Sequence, residues 1–212
     1  MYSKEIENKK KKLRLKPIQK EILVGTLLGD SCLQSLNNGR TYRLKVEHSI
    51  LQKEYVDWLY QKFQDWVRTP PQIKKKSGKK KEYWNYGFET LSVGNFRFFA
   101  QQFYDEDGKK KVSRMIKKLL TPRALAVWFM DDGSIKSRKH KGYNIHTLSF
   151  SKEDQKLLQK ALKEKFGIET SLHRQRKYKE LKWRLYIKGE SGEKFREIIK
   201  PFILPSLEYK IG

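Results

Sequence analysis

Residues 123–134 read RALAVWFMDDGS, an apolar run that ends in two adjacent aspartates and a glycine. Such a run is typical of a buried helix that stops at the glycine. A helix C-terminus already carries partial negative charge and favours Lys or Arg, so carboxylates there are unfavourable. Asp131 and Asp132 therefore either belong to a turn or bind something positive.

The same pattern occurs about a hundred residues earlier. Residues 19–34 read QKEILVGTLLGDSCLQ, apolar until the chain breaks at Gly29 and Asp30. After each acid the chain alternates like a strand, in TYRLKVEH (41–48) and less cleanly in YNIHTLSF (143–150). In each copy an amphipathic helix, further strand sequence and a closing aromatic helix follow. We therefore predict an α+β fold of two pseudo-symmetric αββαββα halves with antiparallel sheets.

A charged linker, YDEDGKKKVSR (104–114), separates the two copies. With the boundary placed in this linker, the sequence predicts three segments. These are a basic N-terminal arm over 1–18, a first half that includes linker residues over 19–111, and a second half over 112–212. Two copies are too few for a solenoid, which needs about three units. They are better interpreted as a fused dimer with a pseudo-twofold axis.

The charge indicates a polyanionic partner. Lys and Arg number 48 against 24 Asp and Glu, a net charge of +24, which favours nucleic acid. An anionic membrane surface is the rival, but the sequence has no long apolar span and no separate basic amphipathic helix. The lysine-rich arm is either a solvated, partly disordered segment or a DNA-contacting one.

The single cysteine, Cys32, excludes an internal disulfide and a multi-cysteine zinc site, which favours a reducing compartment. The N-terminus is no convincing transit peptide, so synthesis in an organelle and in a bacterial cytoplasm both fit.

The repeated acids suggest a metal site. Either one alone could be an ordinary turn aspartate. In a pseudo-twofold arrangement, however, Asp30 and Asp132 would meet at the ends of paired helices, and two close carboxylates need a counter-ion. Hard oxygen ligands select Mg²⁺, which leaves water positions for substrate phosphates.

The segments LVGTLLGDS and LAVWFMDDG resemble the two motifs of monomeric LAGLIDADG homing endonucleases. The ending IKPFILPSLEYKIG is similar to that of the yeast mitochondrial intron-encoded members. The resemblance implies a monomer that makes double-strand breaks with short 3′ overhangs in long, specific duplex DNA, with no obligate protein partner and no membrane. It implies Mg²⁺ as cofactor; Mn²⁺ would substitute, and Ca²⁺ would support binding without cleavage.

The resemblance also assigns roles to residues. The catalytic and metal-binding acids are Asp30 and Asp132 at the eighth motif position; Gly29 and Asp131 at the seventh offer at most a backbone metal contact. Lys210 matches the family's terminal YK. Its first-half partner falls in GKKKVS, where Lys110 is favoured and Lys111 is the alternative.

The second motif departs from the family pattern. The third motif position is normally small; Gly25 fits, but Val127 does not, and the bulky Trp128 and Phe129 follow. We therefore expect the two motif helices to pack unequally.

Basic and polar strand positions predict a reading surface. Two sheets with one apolar and one basic face would form a concave saddle in the major groove. The loop KKKSGKKK (74–81) would contact phosphates, and His48 and His146 are interpreted as strand residues. The candidate DNA-binding residues are Arg40, Arg43, Lys45, Tyr83, Asn85, Arg174, Arg176, Lys182, Arg184, Tyr186 and Lys188.

An alternative function is kept open. An intron RNA maturase, or another nucleic-acid-binding module of the same fold, would not depend on DNA cleavage. The presence of both acids favours cleavage without excluding a dual role.

Overall fold

The computed structural model describes residues 4–77, 82–137, 142–177 and 180–212, without the side chains of residues 137, 176, 177 and 180. The chain forms two compact units. The first contains residues 4–20 and 30–100; the second contains residues 21–29 and 101–212. The helix of the first motif thus enters the second unit, so the compact units divide the chain differently from the sequence repeat.

The element order confirms the αββαββα pattern in both halves. The helices are α1 (Lys4–Lys12), α2 (Pro17–Leu28), α3 (Lys53–Phe63), α4 (Arg97–Phe103), α5 (Ile116–Leu119), α6 (Pro122–Asp132), α7 (Lys152–Phe166) and α8 (Gly192–Ile199). The strands are β1 (Cys32–Gln34), β2 (Arg43–Ser49), β3 (Gln72–Ser77), β4 (Glu82–Glu89), β5 (Gly133–Ser137), β6 (Gly142–Ile145), β7 (Thr170–Lys177) and β8 (Glu180–Ile187). Among the described residues, no helix is long and apolar enough to cross a membrane.

The N-terminal arm is helical over Lys4–Lys12, so the expectation of a partly disordered segment is wrong there. The helix buries no residue. Just after it, Leu13 is buried, and its carbonyl accepts a hydrogen bond from Asn95 Nδ2 at 3.1 Å. The arm is therefore attached to the first unit at its C-terminal end.

The sheet of the first unit has the order β1-β2-β4-β3, with all neighbours antiparallel. Its inner face carries Leu44, Val46 and Phe88, which are buried together with Leu59 of α3. The predicted alternation in β2 is confirmed, because its even-numbered residues from Leu44 onward are the buried ones.

The sheet of the second unit has the equivalent order β5-β6-β8-β7. Strand β6 ends at Ile145, so the predicted continuation of strand sequence to Phe150 is wrong. The buried Gln155 explains the turn that replaces it, because its Nε2 donates to the carbonyls of Thr147 at 3.1 Å and Phe150 at 3.3 Å.

Motif helices α2 and α6 approach closely within the second unit. A Cβ placed on Gly25 would lie 2.6 Å from Val127 Cβ and 2.5 Å from the Ala124 carbonyl oxygen. A Cβ on Gly29 would lie 2.2 Å from Asp131 Oδ2. Each glycine of the first motif thus faces the larger residue at the same position of the second. This pairing accommodates the departures at Val127 and Asp131.

The bulky residues of the second motif pack into the second unit. Trp128 and Phe129 are fully buried. The Phe129 ring makes edge contacts with Tyr143 and Phe195, at centroid distances of 5.6 and 5.1 Å. Phe129 therefore anchors α6 to its own sheet and to α8.

We expect Gly25→Ala to destabilise the protein by about 1–3 kcal/mol, because the added methyl group overpacks a rigid backbone contact. Urea unfolding measures the loss. Gly94→Ala is the control, since nothing lies within 4 Å of a Cβ built there. Equal stability of both variants would contradict the close helix contact.

Candidate catalytic centre and nucleic-acid interface

Asp30 lies directly after the last turn of the first motif helix. That turn closes with a hydrogen bond of 3.1 Å from the Gly29 amide to the Gly25 carbonyl. Within the first unit, Asp30 Oδ2 lies 3.7 Å from His48 Nδ1, and the aspartate side chain is 49% exposed. The carboxylate is therefore open to solvent on one side and faces an imidazole on the other.

The sequence favours the interpretation of His48 as a strand residue over that of a site residue. His48 does lie in β2, but its ring is buried. The distance from His48 Nδ1 to Gln52 Oε1 is 3.0 Å. The Tyr55 ring packs edge-on against it at 5.2 Å. The signal was available, because the alternation places this one polar residue on the buried face after Leu44 and Val46. His146 lies just past the end of β6, and its amide donates to the Asp132 carbonyl at 3.0 Å.

Asp131 and Asp132 have different surroundings. Asp132 is the last residue of α6 and is half-buried. Asp131 is buried, and its Oδ2 accepts a hydrogen bond from Thr26 Oγ1 at 3.1 Å. The side chain of Asp131 therefore packs against the first motif helix.

Two lysines contact the C-terminal ends of the motif helices. Lys110 Nζ donates to the Gly29 carbonyl at 2.6 Å. Lys210 is buried, and its Nζ donates to the carbonyls of Met130 and, at 3.3 Å, Asp131. Cations at these ends complement the partial negative charge of the helix carbonyls. Each unfavourable acid thus follows or ends a helix whose terminus contacts an ammonium group.

The ligand atoms predicted from the sequence are of the kind that suits a hard divalent cation. Asp30 and Asp132 offer carboxylate oxygens, and Gly29 and Asp131 offer backbone oxygens. Oxygen ligands of this kind suit Mg²⁺, Mn²⁺ or Ca²⁺ rather than softer metals. Both backbone oxygens already accept a hydrogen bond from a lysine.

The strand register defines an outer face of the first sheet, opposite its apolar core. Four predicted DNA-binding residues share this face. Arg43 and Lys45 are two residues apart on β2, Tyr83 and Asn85 are two residues apart on β4, and the register places both pairs on the same side of the sheet. Tyr83 is 51% exposed. The fifth, Arg40, lies outside the sheet in an exposed turn before β2.

The outer face of the second sheet carries Lys182, Arg184 and Tyr186, with Trp183 and Leu185 on the opposite face, as the alternation predicted. Tyr186 stacks on His173 at a centroid distance of 4.5 Å. Burial lowers the pKa of His173, and the nearby charges of Lys136 and Arg184 lower it further.

The remaining candidates fall elsewhere. Arg174 pairs with Trp183 across the strands, and its guanidinium lies 5.2 Å from that ring, so it lies on the face opposite Arg184. The backbone of Arg176 pairs with Leu181, but the Arg176 side chain is outside the described part of the chain. Lys188 follows β8, 3.6 Å from Glu190. Residues 78–81 of the predicted phosphate-binding loop are outside the described ranges.

Comparisons with known proteins identify the family of this chain. The model of the LAGLIDADG DNA endonuclease family matches residues 20–195. DNA endonuclease I-ChuI of Chlamydomonas applanata is 32% identical over 208 residues, which cover 92% of this chain and 94% of that protein. A probable intron-encoded endonuclease 1 of Wickerhamomyces canadensis is 30% identical, over 96% of this chain and 87% of its own.

A solved structure has a similar fold over nearly the whole chain. It is that of the homing endonuclease I-WcaI bound to its DNA recognition sequence, with a TM-score of 0.90 and 28% identity. The match covers 99% of this chain and 93% of the other.

Proposed function

Because the chain belongs to the LAGLIDADG DNA endonuclease family, we propose that it is a site-specific homing endonuclease. It cuts both strands of a long duplex target as a single chain, in a reaction that depends on a divalent metal ion. The observation that carries the proposal is the similar construction of the two motif-helix ends: at each end a lysine donates to a nearby backbone carbonyl, and an acid stands at the eighth motif position.

Asp30 and Asp132 are the metal ligands in this proposal. When bound, a divalent ion neutralises charge on the scissile phosphate and activates water as the nucleophile. The half-exposed carboxylate of Asp30 and the half-buried one of Asp132 supply negative oxygen ligands at the ends of two equivalent helices. The sequence repeat assigns one acid to each half, which suits a target with two strands to cut.

Lys110 and Lys210 assist catalysis by placing positive charge beside the acids. A fixed ammonium group stabilises negative charge that develops on the phosphate in the transition state. Both ammonium groups donate hydrogen bonds to backbone carbonyls at the helix ends. Their position is therefore set before DNA binds.

The two outer sheet faces bind the DNA, and their strands follow the major groove. Arg43, Lys45, Tyr83 and Asn85 contribute from the first sheet, and Lys182, Arg184 and Tyr186 from the second. Arg174 lies on the face opposite Arg184 and is a weaker candidate for base contact. The net charge of +24 supports strong electrostatic attraction to the phosphate backbone.

We expect cleavage of target DNA in Mg²⁺ or Mn²⁺, binding with little or no cleavage in Ca²⁺, and no cleavage in EDTA. The physical reason is that Mg²⁺ imposes strict octahedral geometry on the reacting oxygens, whereas Ca²⁺ coordinates loosely. A library of duplexes with randomised sequence supplies the target, and sequencing of the cut ends identifies it.

Full activity in EDTA would refute the metal-dependent mechanism. Tight binding of duplex DNA or of structured RNA, without cleavage in any metal, would instead favour the maturase or non-cleaving alternative.

A further inference from the structure

An acidic side chain lies within the outer face of the first sheet. Glu47 on β2 pairs with Gly87 on β4 and shares its face with the basic residues Lys45 and Lys76. A carboxylate on a surface that meets DNA is repelled by the phosphates unless cations surround it. Its side chain is nevertheless only 19% exposed, so it is built into this face rather than attached at its rim.

Three donors surround the carboxylate. Glu47 Oε1 accepts a hydrogen bond from Asn85 Nδ2 at 2.9 Å and lies 3.4 Å from Lys76 Nζ. Lys45 Nζ lies 3.7 Å from Oε2. Burial alone would raise the pKa of Glu47, but the Asn85 hydrogen bond and the two ammonium charges lower it below its ordinary value. Glu47 is therefore a charged acceptor at neutral pH.

One carboxylate oxygen keeps acceptor capacity. The distance from Lys45 to Oε2 is longer than a hydrogen bond, and within the described ranges no hydrogen bond reaches that oxygen. A carboxylate has about four acceptor sites, and the donors around Glu47 occupy only part of them. Oε2 can therefore accept a hydrogen bond from a ligand.

A recess opens beside Glu47. A cavity of about 240 Å³ is lined by residues that include Glu47, Gln72, Lys74 and Gly87. Gly87 has no side chain to project from the surface beside Glu47. A Cβ at this position would lie 2.2 Å from the Val46 carbonyl oxygen. The edge of a base can thus approach the carboxylate without meeting a side chain on the paired strand.

We infer that Glu47 is a specificity-determining residue that accepts a hydrogen bond from the N4 amino group of one cytosine in the major groove. This inference rests on the proposed function. Cytosine presents a donor there, whereas guanine presents two acceptors and thymine one, and these repel a carboxylate. Adenine presents its amino donor beside the N7 acceptor, so it binds less well. Lys45 and Lys76 offset the repulsion between Glu47 and the neighbouring phosphates.

The test is selection of cleaved sites from a duplex library of randomised sequence, by the wild type and by Glu47→Gln. For the wild type we expect one position within a half-site that strongly favours cytosine. Glu47→Gln should weaken that preference by about tenfold or more while other positions keep theirs. Glu54→Gln, the same charge change at an exposed position of α3, should retain the whole profile.

The outcomes separate the two proposals. If the wild type cuts no site at all, the endonuclease proposal fails. If it selects a site and Glu47→Gln selects the same one at every position, the inference about Glu47 is overturned. A relaxation spread evenly over many positions would also overturn it, because Glu47 would then only hold Lys45, Lys76 and Asn85 in place. Glu47→Ala, with folding checked by circular dichroism, provides a second variant if Glu47→Gln does not fold.

Discussion

We expect Asp30→Asn and Asp132→Asn each to reduce double-strand cleavage by about 10²-fold or more. Each substitution removes the negative charge of a proposed metal ligand, and the attack on the phosphate is proposed to depend on that metal ion. Both variants should still fold, because removal of negative charge near a helix C-terminus is neutral or stabilising. Cleavage rates in Mg²⁺, DNA affinity in Ca²⁺ and melting temperature measure the three effects separately.

Asp131→Asn is the matched control for this prediction. Its amide oxygen can still accept the hydrogen bond from Thr26 that Asp131 Oδ2 accepts now, so the helix contact survives the substitution. We expect a milder loss of cleavage than for Asp132→Asn. An inactive Asp131→Asn beside an active Asp132→Asn would show that the motif register is wrong by one residue. Unfolding of the Asp30→Asn or Asp132→Asn variant would instead favour a purely structural role for that acid.

The fold could be predicted from the sequence in those segments where apolar residues follow a clear strand alternation or a continuous helical run. The alternation in β2 and β8, and the two apolar motif helices, were strong local signals that the structure confirms. The helix over Lys4–Lys12 could not be predicted, because its residues bury nothing and have no apolar face to show a period. The early end of β6 depends on Gln155, a residue on α7 that hydrogen-bonds two carbonyls in the turn.

The candidate site was partly predictable for the same reason. The repeated motif was enough to single out Asp30 and Asp132, and the family resemblance to single out Lys210; their roles stay predictions. Lys110, favoured over Lys111, contacts the end of the first motif helix. The alternation of β2 places the polar His48 on the buried face, but it does not identify Asp30 as the group that its imidazole faces. Likewise, the carboxylate of Glu47 among cations emerges only when the register aligns β2 with β4 and β3.

Lys210→Met should reduce both cleavage and stability, whereas Lys110→Met should reduce mainly cleavage. The Lys210 ammonium group is buried and donates to two helix carbonyls, so its loss removes hydrogen bonds from a charged donor, worth about 1.5–3 kcal/mol each. Lys110 is only half-buried, so water can replace its contact with the Gly29 carbonyl at lower cost. Each variant should lose about 10²-fold in cleavage rate, as expected when a fixed charge that stabilises the transition state is removed. DNA affinity in Ca²⁺ should change little.

Lys111→Met provides the control, because it removes a neighbouring positive charge. The Lys111 backbone amide donates to the Phe103 carbonyl, and among the described residues its side chain has no hydrogen bond or ion pair. We expect it to cleave at nearly the wild-type rate. Urea unfolding and single-turnover cleavage at saturating Mg²⁺, both at a temperature where every variant is folded, separate stability from chemistry. Normal cleavage by folded Lys210→Met would show that Lys210 has only a structural role, as the donor to carbonyls at the end of α6. Loss of cleavage in Lys111→Met but not in Lys110→Met would transfer the catalytic role to Lys111. Loss in both Lys110→Met and Lys210→Met would instead show that the ammonium groups at the motif-helix ends act on the reaction and do not merely balance the acids.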